Sequence, residues 1–193
     1  MTRPARRLIS LAAGLLLSLA AQADPDVYPT PGVQAPVTAS FVAAASGQLV
    51  AYYTGGTGGY SNLVGVRING VDGTPGLPNH GTAYGDTFVL GTVSLGDNLV
   101  FFVDANSGSA RYYTDPALNT SDHVNHAWAA PFAGDAKVPA GINIAFEDLE
   151  GGGDLNYRDH SIVFQIRPVP EPASAALMLV GAAGLAALRR RRR

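Results

Sequence analysis

Cysteine is absent from the 193 residues, so no disulfide staples the folded part, even in the periplasm or outside the cell where disulfides persist. Its stability has to come from a hydrophobic core or from bound ions. Cations are scarce as well. Between Asp24 and Arg167 only Arg67, Arg111, Lys137, Arg158 and Arg167 are basic, against fourteen of the chain's fifteen acidic residues. Five against fourteen leaves this stretch at about −9, which the arginine-rich ends hide in the whole-chain value of −2. A body of that sign cannot hold a phosphate backbone by counterion release. Nucleic acid is excluded as a partner, whereas cations and neutral sugars are not. No stretch of the body keeps an apolar 3.6-residue period, so amphipathic helices are not expected. No serine sits in G-x-S-x-G, and Gly55-Gly56-Thr57-Gly58-Gly59 lacks the Lys-Ser/Thr of a phosphate loop. That glycine cluster reads as a mobile turn, and no catalytic residue is predicted.

Basic and apolar residues concentrate at the two ends. Arg3, Arg6 and Arg7 precede the apolar run from Leu8 to Ala20, and Ala21-Gln22-Ala23 meets the small-x-small rule of signal peptidase. This predicts a signal peptide over 1–23, export by the Sec machinery and cleavage before Asp24. At the other end Val169-Pro170-Glu171-Pro172 is followed by sixteen uncharged residues, Ala173 to Leu188, and then by Arg189, Arg190, Arg191, Arg192 and Arg193. Sixteen helical residues reach roughly 24 Å, short of a typical bilayer core of about 30 Å. A single transmembrane helix of that length is workable when flanking arginines snorkel to the headgroups. The arginine cluster stays cytoplasmic and turns everything before Pro170 outward. The pattern resembles the C-terminal sorting signal of PEP-CTERM proteins. That resemblance implies a precursor held in the inner membrane facing the periplasm, then cut near Pro-Glu-Pro by the membrane transpeptidase exosortase and passed to the cell surface or extracellular space.

The chain therefore divides into a signal peptide (1–23), an extended N-terminal arm outside the core (24–36), a folded domain (37–167) and a sorting signal (169–193). Within the tail, 168–172 is the Pro-rich motif, 173–188 the membrane span and 189–193 the cytoplasmic cluster. The 144 residues from Asp24 to Arg167 make one domain with room for a sizeable core. Short apolar stretches recur along it: Val37–Ala44, Gln48–Thr54, Leu63–Asn69, Thr87–Ser94, Asn98–Asp104, Ala110–Thr114, Ile142–Glu147 and Ser161–Arg167. Turn chemistry separates them at Asn69-Gly70, Asp72-Gly73 and Gly96-Asp97-Asn98. Short strands at this density predict an all-β fold, an antiparallel, jelly-roll-like β-sandwich. In the last two strands Ile142, Ile144 and Phe146, and then Ile162, Phe164 and Ile166, take one face at period two.

If those two strands pair antiparallel, the connection between them crowds Glu147, Asp148, Glu150, Asp154 and Asp159 at one end, with Arg158 as the nearby cation. Two carboxylates about 6 Å apart at an effective dielectric near 20 repel by roughly 3 kcal/mol, so such a loop needs compensation. Oxygen-only donors at irregular spacing suit Ca²⁺. Gly151-Gly152-Gly153 would let the backbone turn Asp154, Asn156 and Asp159 inward beside Asp148, giving those four as candidate calcium ligands. The spacing is not that of an EF-hand, because Arg158 and Asp159 occupy positions where a ligand and a glycine are required.

Phe146-Glu147-Asp148-Leu149, Gly151-Gly152-Gly153-Asp154, Asn156-Tyr157, Asp159 and Ile162-Val163-Phe164 also look like the F-E-D-L, G-G-D, D-Y/F-N-D, L-V-F signature of an uncharacterised secreted β-rich domain found in PEP-CTERM proteins. Tyr112-Tyr113-Thr114-Asp115, Ala117-Leu118-Asn119 and Asp122-His123 are similar to its preceding segment. The likeness runs over about Asn98 to Arg167 and implies an extracellular, calcium-binding sandwich with no established catalytic activity.

These readings converge on an exported structural or adhesive protein of the extracellular matrix or biofilm. A carbohydrate-binding module for extracellular polysaccharide is the alternative, with Tyr52, Tyr53, Tyr60, Tyr112 and Tyr113 as candidate stacking residues. A glycosidase using a pair such as Asp148 and Asp159 is a third reading, because such enzymes need only two suitably spaced carboxylates. His123 and His126 have a spacing a helix could use for zinc, but no further clustered ligand, and read as hydrogen-bonded loop residues.

Overall fold

The computed structural model describes residues 28–169. Ten strands follow one another: β1 (Phe41–Val42), β2 (Gly47–Gly55), β3 (Leu63–Ile68), β4 (Val71–Asp72), β5 (Thr87–Val93), β6 (Asn98–Ala105), β7 (Ala110–Tyr113), β8 (Ala127–Phe132), β9 (Gly141–Phe146) and β10 (His160–Arg167). The only helices among the described residues are three single 3₁₀ turns. The described part is thus all-β, and every strand pairing in it is antiparallel.

The strands form two sheets. In the first, β6 pairs with β3 along its length; its other edge takes β1 at the start and β7 at the end, and β4 closes the far side of β3. The second runs β5-β2-β10-β9-β8. Strands β8, β9 and β10 are consecutive neighbours, a meander simpler than the jelly-roll-like path expected from sequence. The β3–β4 hairpin turns on Asn69-Gly70, whose φ values of 48° and 85° are those of the two-residue turn that matches strand twist.

Period two decides the core. Leu49, Ala51 and Tyr53 of β2, Ile144 and Phe146 of β9, and Ile162 of β10 face Val64 and Val66 of β3 and Leu99, Phe101 and Val103 of β6, all buried in one cluster. Phe101 and Phe164 meet across the sheets at 4.5 Å between ring centroids. The other face of the second sheet is covered as well. Tyr28 and Ala35 bury themselves with Ala145 and Tyr157, and Val138 does so with Val50, Tyr52 and Val163.

Three expectations need correction. The arm does not lie outside the core: its described part has no strand, yet the Tyr28 ring packs edge-on to Tyr157 at 4.9 Å and Gly32 donates to the Asp154 carbonyl at 3.1 Å. Strand β8 was not expected, because Ala-Trp-Ala-Ala-Pro-Phe neither alternates nor suits a central strand. It is tolerated because β8 is an edge, where Pro131 needs no ladder donor. The stretch 37–44 contributes only Phe41–Val42 as strand.

Candidate functional site

The thirteen residues 147–159 join β9 to β10 and cap one end of both sheets. The hairpin register sets His160 opposite Phe146, so Glu147 and Asp159 leave the sheet side by side. Asp159 donates its main-chain N–H to the Phe146 carbonyl at 3.0 Å, and the Asp148 N–H donates to the Asp159 carboxylate at 3.0 Å. The other sheet contributes Asn62, whose side-chain amide donates to the Asp148 carboxylate at 2.7 Å. Asp148 and Glu147 are buried.

Between them the chain turns sharply. Gly151, Gly152 and Gly153 all have positive φ, as do Leu155 and Tyr157. This conformation sends Tyr157 inward until it is fully buried and brings its N–H onto the Glu147 carboxylate. Burial pushes the Glu147 carboxyl up to about 8; the charges of Asp159 and Asp154 add to the rise and the Tyr157 N–H opposes it. The same causes act on Asp159. Burial and the neighbouring Asp148 charge raise it to about 6 against the Asp148 N–H bond.

The glycine cluster 55–59 is not a free turn. Thr57 donates its N–H to the Arg158 carbonyl at 2.7 Å, and Gly58 is buried where a Cβ would stand 2.8 Å from the Asp148 carboxylate and 2.8 Å from the Asp159 Cβ. Only glycine lets this backbone lie flat on the acidic pair. Gly59, Tyr60, Asp148, Leu149 and Asp159 line a cleft of about 230 Å³ there.

Of the four candidate calcium ligands, Asp148 and Asp159 share this cleft, and Asp154 and Asn156 do not join them as its lining. Asp154 accepts from the Asn156 N–H at 3.2 Å and from its side-chain amide at 2.6 Å, so both its oxygens are engaged with a neighbour two residues on. Among the described residues no three His, Asp or Glu side chains converge as a metal centre requires. The four residues as folded do not fit one calcium cage. Glu147 and Tyr157, outside the expected ligand set, are the residues that hold the connection together. The sequence signal for Glu147 was its place opposite Phe146 in the alternation, which aims it away from the core face but into the turn.

The tyrosines do not form a platform. Tyr53 and Tyr112 are in the core and Tyr52 is buried on the opposite face of its sheet, so no sugar ring can reach a shared stacking surface on them. Tyr112 stacks on His126 at 3.8 Å. His126 is itself buried, with Nε2 2.9 Å from an Asp122 carboxylate oxygen and Nδ1 3.2 Å from the Glu147 carbonyl oxygen. Burial alone would raise Asp122, but the N–H groups of Val124 and Gly151 and the His126 ring hold it below its ordinary value. His160 is buried with neither ring nitrogen bonded to a protein group, and burial depresses it to about 3.

Most of the body's cations act elsewhere. Arg111 binds the Asp104 carboxylate through two nitrogens, reaches Asp72 at 2.9 Å and lies 4.0 Å over the Phe102 ring. Arg67 pairs with Asp72 at 3.1 Å, and Arg167 lies over Tyr52. None of these three compensates the 147–159 connection.

The described chain leaves β10 at Arg167 and ends, at Val169, inside the proline-rich stretch. Residues 168–193 match the PEP-CTERM protein-sorting motif. This motif is the recognition signal for exosortase, and proteins bearing it are exported and membrane-anchored before processing. No curated protein and no solved structure gives a match to the chain. Within the PEP-CTERM motif Val169 is exposed. Pro170, Glu171, Pro172, the span 173–188 and Arg189 to Arg193 lie outside the described residues, as do the signal-peptide residues Ala21 and Ala23.

Proposed function

We propose that this chain is an exported β-sandwich of the cell surface or extracellular matrix with a structural or adhesive role, delivered by signal peptidase and exosortase. One observation carries the reading: a PEP-CTERM motif begins at residue 168, immediately after the last strand of an all-β body. Mass spectrometry of the exported protein tests it. The expected mature chain starts at Asp24 and lacks the arginine cluster; an exported chain still carrying Arg189 to Arg193 would reduce the tail to a permanent anchor. Buried Tyr52 and Tyr112 weigh against the carbohydrate-module alternative built on them.

Calcium is a narrower proposal. It is supported by Asp148 and Asp159 lining one cleft. Asp154 and Asn156 would enter such a site only by giving up their mutual bonds. Calorimetry with millimolar Ca²⁺ decides: heat and a raised melting temperature support it, and neither ends it.

A further inference from the structure

Exposed apolar side chains occur in several places, with Tyr60 and Leu149 beside the acidic cleft and Val89 on β5. The three most exposed large ones, Val71 at 72%, Leu95 at 70% and Val42 at 69%, all belong to the same end of the sandwich. Strand pairing fixes that placement. Arg167 lies opposite Gln48, and the adjacent Gly47 lies opposite Val93, so the turn 94–97 that carries Leu95 sits at the Arg167 end of the second sheet. In the first sheet Val42 lies opposite Asn98, directly after that turn, and Val71 flanks the Asn69-Gly70 hairpin. The two turns are tied together by the Asn69 amide, which donates to Asp97 at 2.9 Å. Val169, also exposed, is two residues past Arg167 and leaves from this same end.

From this end the chain continues into the sorting motif. Residues 168–172 can extend to about 17 Å at most, at roughly 3.4 Å each, so an anchored tail holds this end against the bilayer. The acidic connection is at the opposite end of β10, whose eight residues span roughly 26 Å.

We propose, resting on the tail-anchored precursor argued above, that the Arg167 end is a membrane-facing surface: Val42, Val71, Leu95 and Val169 contact the lipid interface while the precursor awaits cleavage. The body is thereby held upright, with the 147–159 connection pointing away from the membrane. Few side chains are involved and the body is strongly acidic, so the contact depends on the short tether, which keeps the local lipid concentration high. Cutting near the Pro-Glu-Pro removes the tether and the body leaves.

The absence of cysteine makes the test clean. Full-length Leu95→Cys and Glu150→Cys variants, each carrying an environment-sensitive fluorophore, are reconstituted in phosphatidylcholine vesicles with and without nitroxide-labelled lipid. The expected result is lipid quenching at position 95 several-fold stronger than at position 150, reduced when Val42 and Val71 are both changed to Ser. A chain that floats with the vesicles but is quenched equally at both positions overturns the orientation alone. Shielding at position 95 without lipid quenching would mean contact between copies of the chain and also overturns it. A chain that does not float overturns the anchored precursor and the inference with it.

Discussion

Ala35 donates its main-chain N–H to the Tyr157 hydroxyl at 2.9 Å, joining the N-terminal arm to the β9–β10 connection. The same hydroxyl donates to the Asn125 carbonyl at 3.0 Å. One phenol thus satisfies a buried donor and a buried acceptor from two different segments.

Changing Tyr157 to Phe keeps the ring and strands both partners. Each buried unpaired group costs about 1–3 kcal/mol, so urea unfolding of Tyr157→Phe should show a loss of that order or more. The slope of the transition should be unchanged, since the surface exposed on unfolding is the same.

The carboxyl of Glu147 gives a pH dependence with a definite sign. Its folded value is about 8, against an ordinary value near 4.5, so between those limits the folded state holds a proton that the unfolded state has released. Stability therefore falls as pH rises through this window. Asp159 has its midpoint at about 6 and unfolded His160 at 6.5, which leaves Glu147 to dominate from about pH 7 to 8. Glu147→Gln retains an oxygen for the Tyr157 N–H. Its melting temperature should be flat across that window while that of the wild type drops by several degrees.

His160 acts with the opposite sign. It stays neutral down to about 3 when folded, so the unfolded chain takes up a proton as pH falls below 6.5 and stability declines toward acid. Relative to the wild type, His160→Leu should gain stability progressively as pH falls from about 6 to 4, and it should keep the alkaline-side decline.

Adding a methyl group at position 58 separates the two loops at the acidic end. Gly58→Ala places its Cβ against the Asp148 carboxylate and Asp159. The glycine loop should lift, at a cost of about 1–3 kcal/mol. Hydrogen exchange should then show lost protection at Thr57, whose N–H now bonds to the Arg158 carbonyl, with protection of β6 unchanged.

How much of this was legible beforehand varies residue by residue. The core face of Ile144, Phe146 and Ile162 followed from alternation, because a two-residue period leaves one choice of face when one face is a core, whereas the antiparallel pairing of β9 with β10 entered only as a condition, which the register meets. The same logic brought Asp148 and Asp159 together. It could not place Asp154 and Asn156, since their direction is set by successive left-handed backbone conformations at 151–153, 155 and 157. Nor could composition show that Gly58 is packed: glycine at a close contact and glycine in an open turn are written alike. The tyrosine pairs at 52–53 and 112–113 hid a different rule. Adjacent strand residues point to opposite faces, so a pair cannot form one flat platform.

Strand β10 is the last to be synthesised, yet it lies in the middle of its sheet, between β2 and β9. Until it arrives, the β2–β5 and β8–β9 pairs have no backbone link to one another, and the long-range register that unites them is the slowest kind to find. Translation order thus delays completion of the domain until almost all of it has been made. The arriving strand is followed at once by the sorting motif, so the body becomes able to close just as its own address emerges.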